Sequence, residues 1–514
     1  MSFTSGAFIA FVLAALTVYY LAPRRFRWVV LLIASYGFYF TCGLWAVGYL
    51  LFTTLTTWLA GWALGALNDR RRALPKEDRA GAERLKRRKK QVAAAALLAN
   101  FGLLYVVKYL NFTVDLLHLP RPVFELVLPL GLSFYMFQAV GYVIDCYRGK
   151  YPPEKNLARF ALFVSFFPQL VQGPISRFGE LAPQLTAGKG FDADQVKYGV
   201  QLAMWGYFKK LVISDRAGVV VATVFGSYTQ YRGVVLFAGV LFYCIQLYCD
   251  FSGGIDITRG VAQMFGIHLA ENFRRPLFAT SLTDYWRRWH ITLGQWMRDY
   301  VFYPLSLSKP LTRLGKWARK HIKGKLGKII HTSVATFTVY FLIGVWHGAE
   351  LRYLLFGLWN GVLITASLLL EGRFQRWRER LHIREESLPW RLFQMVRTSA
   401  IVFLGRYLTR AGSVSSALWM VKMTVLDPEV AALWDGRMLA LGLTAGDIAI
   451  VFLGVAAVLA VELYQERGGH VRAALERRHW LIQWAAILIP LAVILFLGVM
   501  RGDYIASEFI YQQY

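Results

Sequence analysis

Acidic residues are scarce in this chain. Its 514 residues carry 31 Asp and Glu against 58 Lys and Arg, a formal net charge of +27. Cysteine is scarcer: Cys42, Cys146, Cys244 and Cys249 all lie in or beside apolar runs. None makes a CxxC or Cys/His spacing, so neither a zinc site nor a disulfide framework is indicated. There is no P-loop, no GxSxG elbow and no HExxH, which argues against ATP-driven chemistry and an in-chain serine hydrolase. No nucleic-acid-binding motif accompanies the positive charge, so nucleic acid is not expected as a partner. No soluble catalytic domain stands out, and we find no internal repeat.

What the chain has is apolar surface. Hydrophobic residues make up 56% and aromatics 16%, and mean hydropathy is +0.40. Apolar runs long enough for a bilayer recur along its whole length. We expect an all-α polytopic membrane protein, with spans near 6–22, 28–45, 47–66, 92–110, 124–145, 157–172, 197–214, 216–229, 232–249, 254–268, 331–348, 352–370, 394–410, 446–463 and 480–500. The shorter runs are expected to be re-entrant or buried in the bundle. The N-terminus lacks a basic n-region and a cleavage site, so it reads as a retained first span. Four basic loops, 68–90, 309–328, 371–386 and 465–479, are expected at the cytoplasmic face beside membrane lipid. Span parity then puts both termini outside and His347 in the outer half of its span.

Four constellations carry chemistry. In "GVWHGA", His347 is an ionisable group inside an apolar run, flanked by Trp346 and by Gly344 and Gly348. Such a histidine faces a bundle interior or a wet cavity. It is either a structural partner of a neighbouring helix or a general base that takes a proton near neutral pH. The glycines leave room for a ligand or a backbone to approach. No acid or cysteine stands three or four residues away, so no metal is expected.

In "SLTDYWRRWHITLGQWMRDYVFYPL" (281–305), a continuous helix would place Trp286, Trp289, Leu293, Trp296 and Tyr300 on one face. Asp284 and Arg288 form an i,i+4 pair on another, and His290 has Gly294 one turn on. Either this is an aromatic interfacial anchor or it is part of a site. In "YCDFSGGIDITRG", Asp250, Ser252 and Asp256 are expected to form a structural polar network, with Arg259 or the Arg287/Arg288 pair as partners. In "LPLGLSFYMFQAVGYVIDCYRGK" and "FFPQLVQGPISRF", Gln138, Gln169 and Gln172 either line a polar tunnel or bond across helices.

These stretches, with "ENFRRPLFATSLTDYWRRWHITLGQWMRDYVFYPL", resemble the membrane-bound O-acyltransferase family, on its bacterial branch of alginate O-acetyltransferase and teichoic-acid D-alanyl transfer types. The resemblance spreads over most of positions 1–370 and thins in the last 140 residues. It implies a ring of helices with re-entrant and interfacial pieces, a single domain over 1–514 with core motifs in 124–370 and peripheral helices in 1–110 and 394–500. It implies that His347 is the catalytic base and His290 the family's second histidine. Arg287, Arg288, Trp286, Trp289, Asn272 and Trp346 would then belong to the donor site or tunnel. Tyr285 where Phe is common, and "PLSLS" at 304–308, depart from the alginate subgroup.

No bound cofactor is expected. The substrate would be a cytoplasmic acyl thioester, acetyl-CoA or an acyl-carrier phosphopantetheine, and the acceptor an extracytoplasmic hydroxyl. An extracytoplasmic acyltransferase or polymer-synthesis partner is expected to act with the chain. The competing readings are D-alanyl transfer to teichoic acid and, from another class, transport of a lipid-linked polymer.

Overall fold

The computed structural model describes residues 1–120, 128–499 and 509. The first residues of the expected 124–145 span, and residue 500, lie outside them. The described residues are helical apart from turns, connections and one isolated antiparallel bridge. Helix is what an apolar surrounding demands, because it satisfies each peptide group within its own segment.

Seven described helices are long and apolar enough to cross a membrane: Leu44–Arg72, Arg79–Lys108, Gly233–Met264, Lys325–His347, Leu351–Arg380, Ala445–Glu466 and Trp480–Leu497. Several expected spans are instead shorter helices, among them Gly6–Leu21, Arg27–Phe40, Leu132–Arg148 and Leu157–Ser165. The expected 197–214 span is the Ala193–Tyr207 helix continued by a wider π-helical turn, Phe208–Ser214.

Two expected spans, 232–249 and 254–268, are one continuous helix of 32 residues, Gly233–Met264, that includes Gly253-Gly254. A mid-helix glycine costs up to about 1 kcal/mol. A broken turn among apolar neighbours leaves peptide groups unsatisfied at several kcal/mol each. Continuity is therefore the cheaper solution.

Contacts gather the chain into two compact units. One comprises the described residues up to Gly206 together with Gly254–Ala270. Within it, Gln138 Nε2 donates to the Phe163 carbonyl (2.6 Å), Gln169 Nε2 donates to Gln138 Oε1 (3.0 Å), and Ser176 Oγ donates to Gln169 Oε1 (2.8 Å). This relay ties Leu132–Arg148 to the 157–176 segment across helices. Asp256 and Arg259, one turn apart on their helix, also lie in this unit, 3.5 Å from each other.

The other unit comprises Tyr207–Gly253 and the described residues from Glu271 onward. It holds every residue of the His290–His347 region. Lys325–His347 and Leu351–Arg380 pack as an antiparallel hairpin whose tip is Gly348–Glu350.

Candidate active site

Local geometry departs first at 281–305. The expected single helix is broken into Leu282–Arg288, Ile291–Met297, a π-helical turn Arg298–Phe302 and Tyr303–Ser306. Trp289 is extended (φ −108°, ψ 127°) and His290 left-handed (φ 48°, ψ 53°). The cause is a competing backbone partner. Arg274 N–H donates to the Arg288 carbonyl (2.9 Å), Ile291 N–H donates to the Asn272 carbonyl (3.0 Å), and Phe273 bridges Trp289 antiparallel. The continuous aromatic face expected from periodicity therefore does not exist. Trp289 instead stacks on Tyr285 (5.6 Å, 15°) with the Arg406 guanidinium 5.1 Å above its ring.

This break positions His290. A left-handed non-glycine residue is strained and persists only when its surroundings hold it. Asn272, fully buried, is what holds it. Its Oδ1 accepts from Thr292 N–H (3.0 Å) and Thr292 Oγ1 (2.9 Å) and lies 3.2 Å from His290 Nδ1. The Thr292 backbone N–H is an unambiguous donor, so the amide atom facing it is the oxygen. The ring nitrogen on that oxygen must then carry the proton. Neutral His290 is thus the Nδ1–H tautomer, with its lone pair on Nε2. The Phe251 ring packs edge-on against the imidazole at 4.9 Å.

His347 closes the Lys325–His347 helix and is 9% exposed. The ring of Trp346 meets both imidazoles, His290 at 5.6 Å and His347 at 5.0 Å, while Phe356 stands 6.0 Å from His347. The room beside the glycines is filled by backbone and side chain, not held open for ligand. A Cβ on Gly344 would lie 2.6 Å from the Tyr353 carbonyl oxygen and 3.0 Å from Gly357 Cα. One on Gly348 would lie 2.4 Å from the Tyr353 ring. The glycines let the two hairpin helices touch, and that contact fixes where His347 emerges.

A cavity of about 480 Å³ reaches His290. Its lining runs from exposed Arg287, Gln295 and Arg298 to buried His290, Trp289 and Leu293, with Trp286 and Gly294 also on the wall. Trp286 is held by donating Nε1–H to Asn360 Oδ1 (3.1 Å). His347 does not line this cavity. Nor do Asn272, Arg288 or Trp346. Arg288 is committed elsewhere: its Nε lies 3.1 Å from Asp284 and its Nη1 3.0 Å from Glu466. The cationic rim is Arg287 with Arg298.

The buried acid Asp250 has a lysine partner in place of the expected arginines. Lys210, fully buried, lies 2.6 Å from Asp250 and 2.9 Å from Asp215, with the Phe509 ring 4.6 Å from its ammonium. Lys209 Nζ donates to Ser252 Oγ at 2.9 Å. Arg259 pairs with Asp256, as expected. The signal for Lys209 and Lys210 was legible: two adjacent lysines inside a segment read as a span need acids nearby. Glu466, Arg406 and Asn360 carried no comparable local signal, because their partners are remote in sequence.

With this geometry in place, comparison with known proteins gives consistent relatives. Residues 153–385 match the model of the MBOAT, membrane-bound O-acyltransferase family. The chain is 34% identical over 381 residues to the probable alginate O-acetylase AlgI of Pseudomonas putida, covering 71% of this chain and 70% of that protein. It is 31% identical over 299 residues to the peptidoglycan O-acetyltransferase of Helicobacter pylori, covering 52% of this chain and 54% of that one. It is 27% identical over 298 residues to the teichoic acid D-alanyltransferase of Bacillus subtilis, covering 56% and 70%. The chain spans about two thirds of the length of the alginate relatives it matches. The chain belongs to the membrane-bound O-acyltransferase family.

Proposed function

We propose that the chain is a membrane O-acyltransferase. It moves an acyl group, acetyl in the first place, from a cytoplasmic thioester to a hydroxyl of an extracytoplasmic polysaccharide or partner protein. The observation that carries this reading is the contact of both His290 and His347 with the Trp346 ring, with an open cavity reaching the first. The relatives named for acetyl transfer to alginate and peptidoglycan support the acyl group and the acceptor class.

In this reading Arg287 and Arg298 hold the phosphates of acetyl-CoA or of a carrier phosphopantetheine, and the acyl end lies toward His290 and Trp286. The acceptor comes to His347 from the opposite side. His347 takes the hydroxyl proton as the oxygen attacks the thioester carbonyl. The tetrahedral intermediate collapses, the C–S bond breaks, and the proton on His347 passes to the leaving thiolate. In this reading the donor side faces the cytoplasm, which the basic loops 68–90, 309–328, 371–386 and 465–479 support through the positive-inside rule. An extracytoplasmic partner would pass the acyl group on to the polymer.

The Bacillus subtilis relative favours one alternative, D-alanyl transfer from a carrier-protein thioester. Membranes containing the protein should be given labelled acetyl-CoA or a D-alanyl-charged carrier protein, with the polymer fraction counted. Label from acetyl-CoA, lost in His347→Ala at unchanged protein level, is expected. Label from the carrier alone selects the alternative. Full transfer by His347→Ala removes the base assignment, and no label from either thioester returns the transporter reading.

A further inference from the structure

The helix Ala445–Glu466 lies beyond the residues matched by the family model, yet its last residue reaches the His290 segment. Glu466 Oε2 lies 2.6 Å from Arg275 Nε, and both Glu466 oxygens lie 3.0 Å from Arg288 Nη1. Arg275 and Arg288 stand at one end of the short antiparallel pairing described above, one on each arm. Between them, Arg274 bonds Arg288, Phe273 bridges Trp289, and Asn272 holds His290. Arg275 is itself left-handed (φ 49°). Glu466 therefore grips both arms of this pairing at the point where they part. It also neutralises two guanidiniums that converge at 23% and 20% exposure. One turn back on the same helix, Glu462 accepts from the Tyr248 hydroxyl, and the Tyr248 ring packs against Trp289 and Phe273 at 5.9 Å each. Two carboxylates at i and i+4 thus meet the back of one small pairing.

We infer that Glu466 is a positioning residue for the transfer step: its clamp on Arg275 and Arg288 holds the paired 272–275 and 288–291 segments, and through them the left-handed His290, in the geometry the reaction needs. The inference rests on the acyltransferase reading above. Glu466 touches no reacting atom, so its loss acts on turnover and not on donor binding. A displacement of about 1 Å at such a site costs on the order of a hundredfold in rate.

The test uses the full-length protein in lipid nanodiscs with acetyl-CoA as donor and an acetylatable oligosaccharide as acceptor. Glu466→Gln, Glu466→Asp and a control, Asp447→Asn, are compared. Asp447 pairs with Arg216 at 3.1 Å near the other end of the same helix, so the control breaks an ion pair of that helix without reaching the His290 segment. Glu466→Gln should lower kcat by tenfold to a hundredfold with the KM for acetyl-CoA within twofold, and Glu466→Asp should recover part of the loss. Asp447→Asn should shift thermal stability by a comparable amount and leave kcat unchanged. The inference is overturned if Glu466→Gln and Asp447→Asn reduce kcat equally, if the effect falls on KM alone, or if kcat does not change. If the unmutated protein transfers no acetyl group, it is the acyltransferase reading that fails.

Discussion

Asn272 Oδ1 sets the tautomer of His290. The oxygen accepts from the Thr292 backbone N–H and from the Thr292 hydroxyl, so His290 Nδ1 must meet it as a donor, at 3.2 Å. One buried carboxamide holds a strained backbone and a ring proton together. Asn272→Asp places a negative charge on the same three donors, raising the fraction of doubly protonated imidazole and the pH above which His290 is neutral. The acidic limb of the pH–rate profile should therefore move to higher pH, while Asn272→Leu lowers kcat at every pH. Stopped assays across pH 5 to 9 measure both; the tautomer itself is read from the imidazole nitrogen chemical shifts of His290, where a proton on Nε2 of the neutral ring would falsify the assignment.

The rim of the cavity should read donor charge. Arg287→Ala and Arg298→Ala are each expected to raise the KM for acetyl-CoA about fivefold, the effect of roughly 1 kcal/mol for an exposed charge pair. The effect should shrink as salt is raised from 50 to 500 mM, because exposed charges are screened. Arg288→Ala should behave differently, losing the Asp284 and Glu466 contacts and acting on kcat. Initial rates at varied acetyl-CoA and salt separate the two patterns. Equal KM effects for all three variants would contradict the distinction.

Gly344 is expected to tolerate no side chain. Its Cβ position falls 2.6 Å from a carbonyl oxygen and 3.0 Å from Gly357 Cα, both backbone. Gly344→Ala should push the hairpin helices apart at about 1–3 kcal/mol, lower the thermal midpoint and displace His347. Gly372, on the partner helix with nothing within 4 Å of its Cβ position, is the comparison: Gly372→Ala should be neutral or slightly stabilising. Thermal scans of the detergent-solubilised variants test this pair.

Lys210 joins two acids from separate parts of the chain, Asp215 and Asp250, at no solvent exposure. Lys210→Met removes the ammonium between two buried carboxylates and should cost about 3–5 kcal/mol, seen as poor accumulation in membranes. The triple variant Lys210→Met, Asp215→Asn, Asp250→Asn should recover much of the loss, since a neutral cluster carries no desolvated charge. Failure of that rescue would mean the charges themselves are needed. Phe251, between Asp250 and Ser252, touches His290, so activity of the rescued variant also reports whether the cluster orients that contact.

Composition and local pattern determined a good deal. Apolar run lengths gave the all-helical membrane class, because a bilayer core of about 30 Å admits few other solutions. Two histidines stood out because ionisable groups among apolar residues are costly. The ordered Trp, Arg and His positions carried the family resemblance. Asp284–Arg288 followed from helix spacing alone and is present at 3.1 Å.

Other features were decided by tertiary structure. Periodicity assumes one regular helix, so it could not foresee that residues 272–274 would capture the backbone at 288–291 and turn His290 left-handed. Nor could it tell the two uses of a glycine apart. Gly344 and Gly348 were equally consistent with a ligand or a helix at close range, and only the packed hairpin shows that the helix took the space. Arg406, Asn360 and Glu466 matter through partners 74 to 191 residues away. A long-range ion pair or hydrogen bond leaves no trace in local spacing; it exists only once folding has brought the two groups within about 3 Å. The sequence named the two imidazoles, and the packed chain set the tautomer of His290, the cavity that reaches it and the Trp346 contact of both.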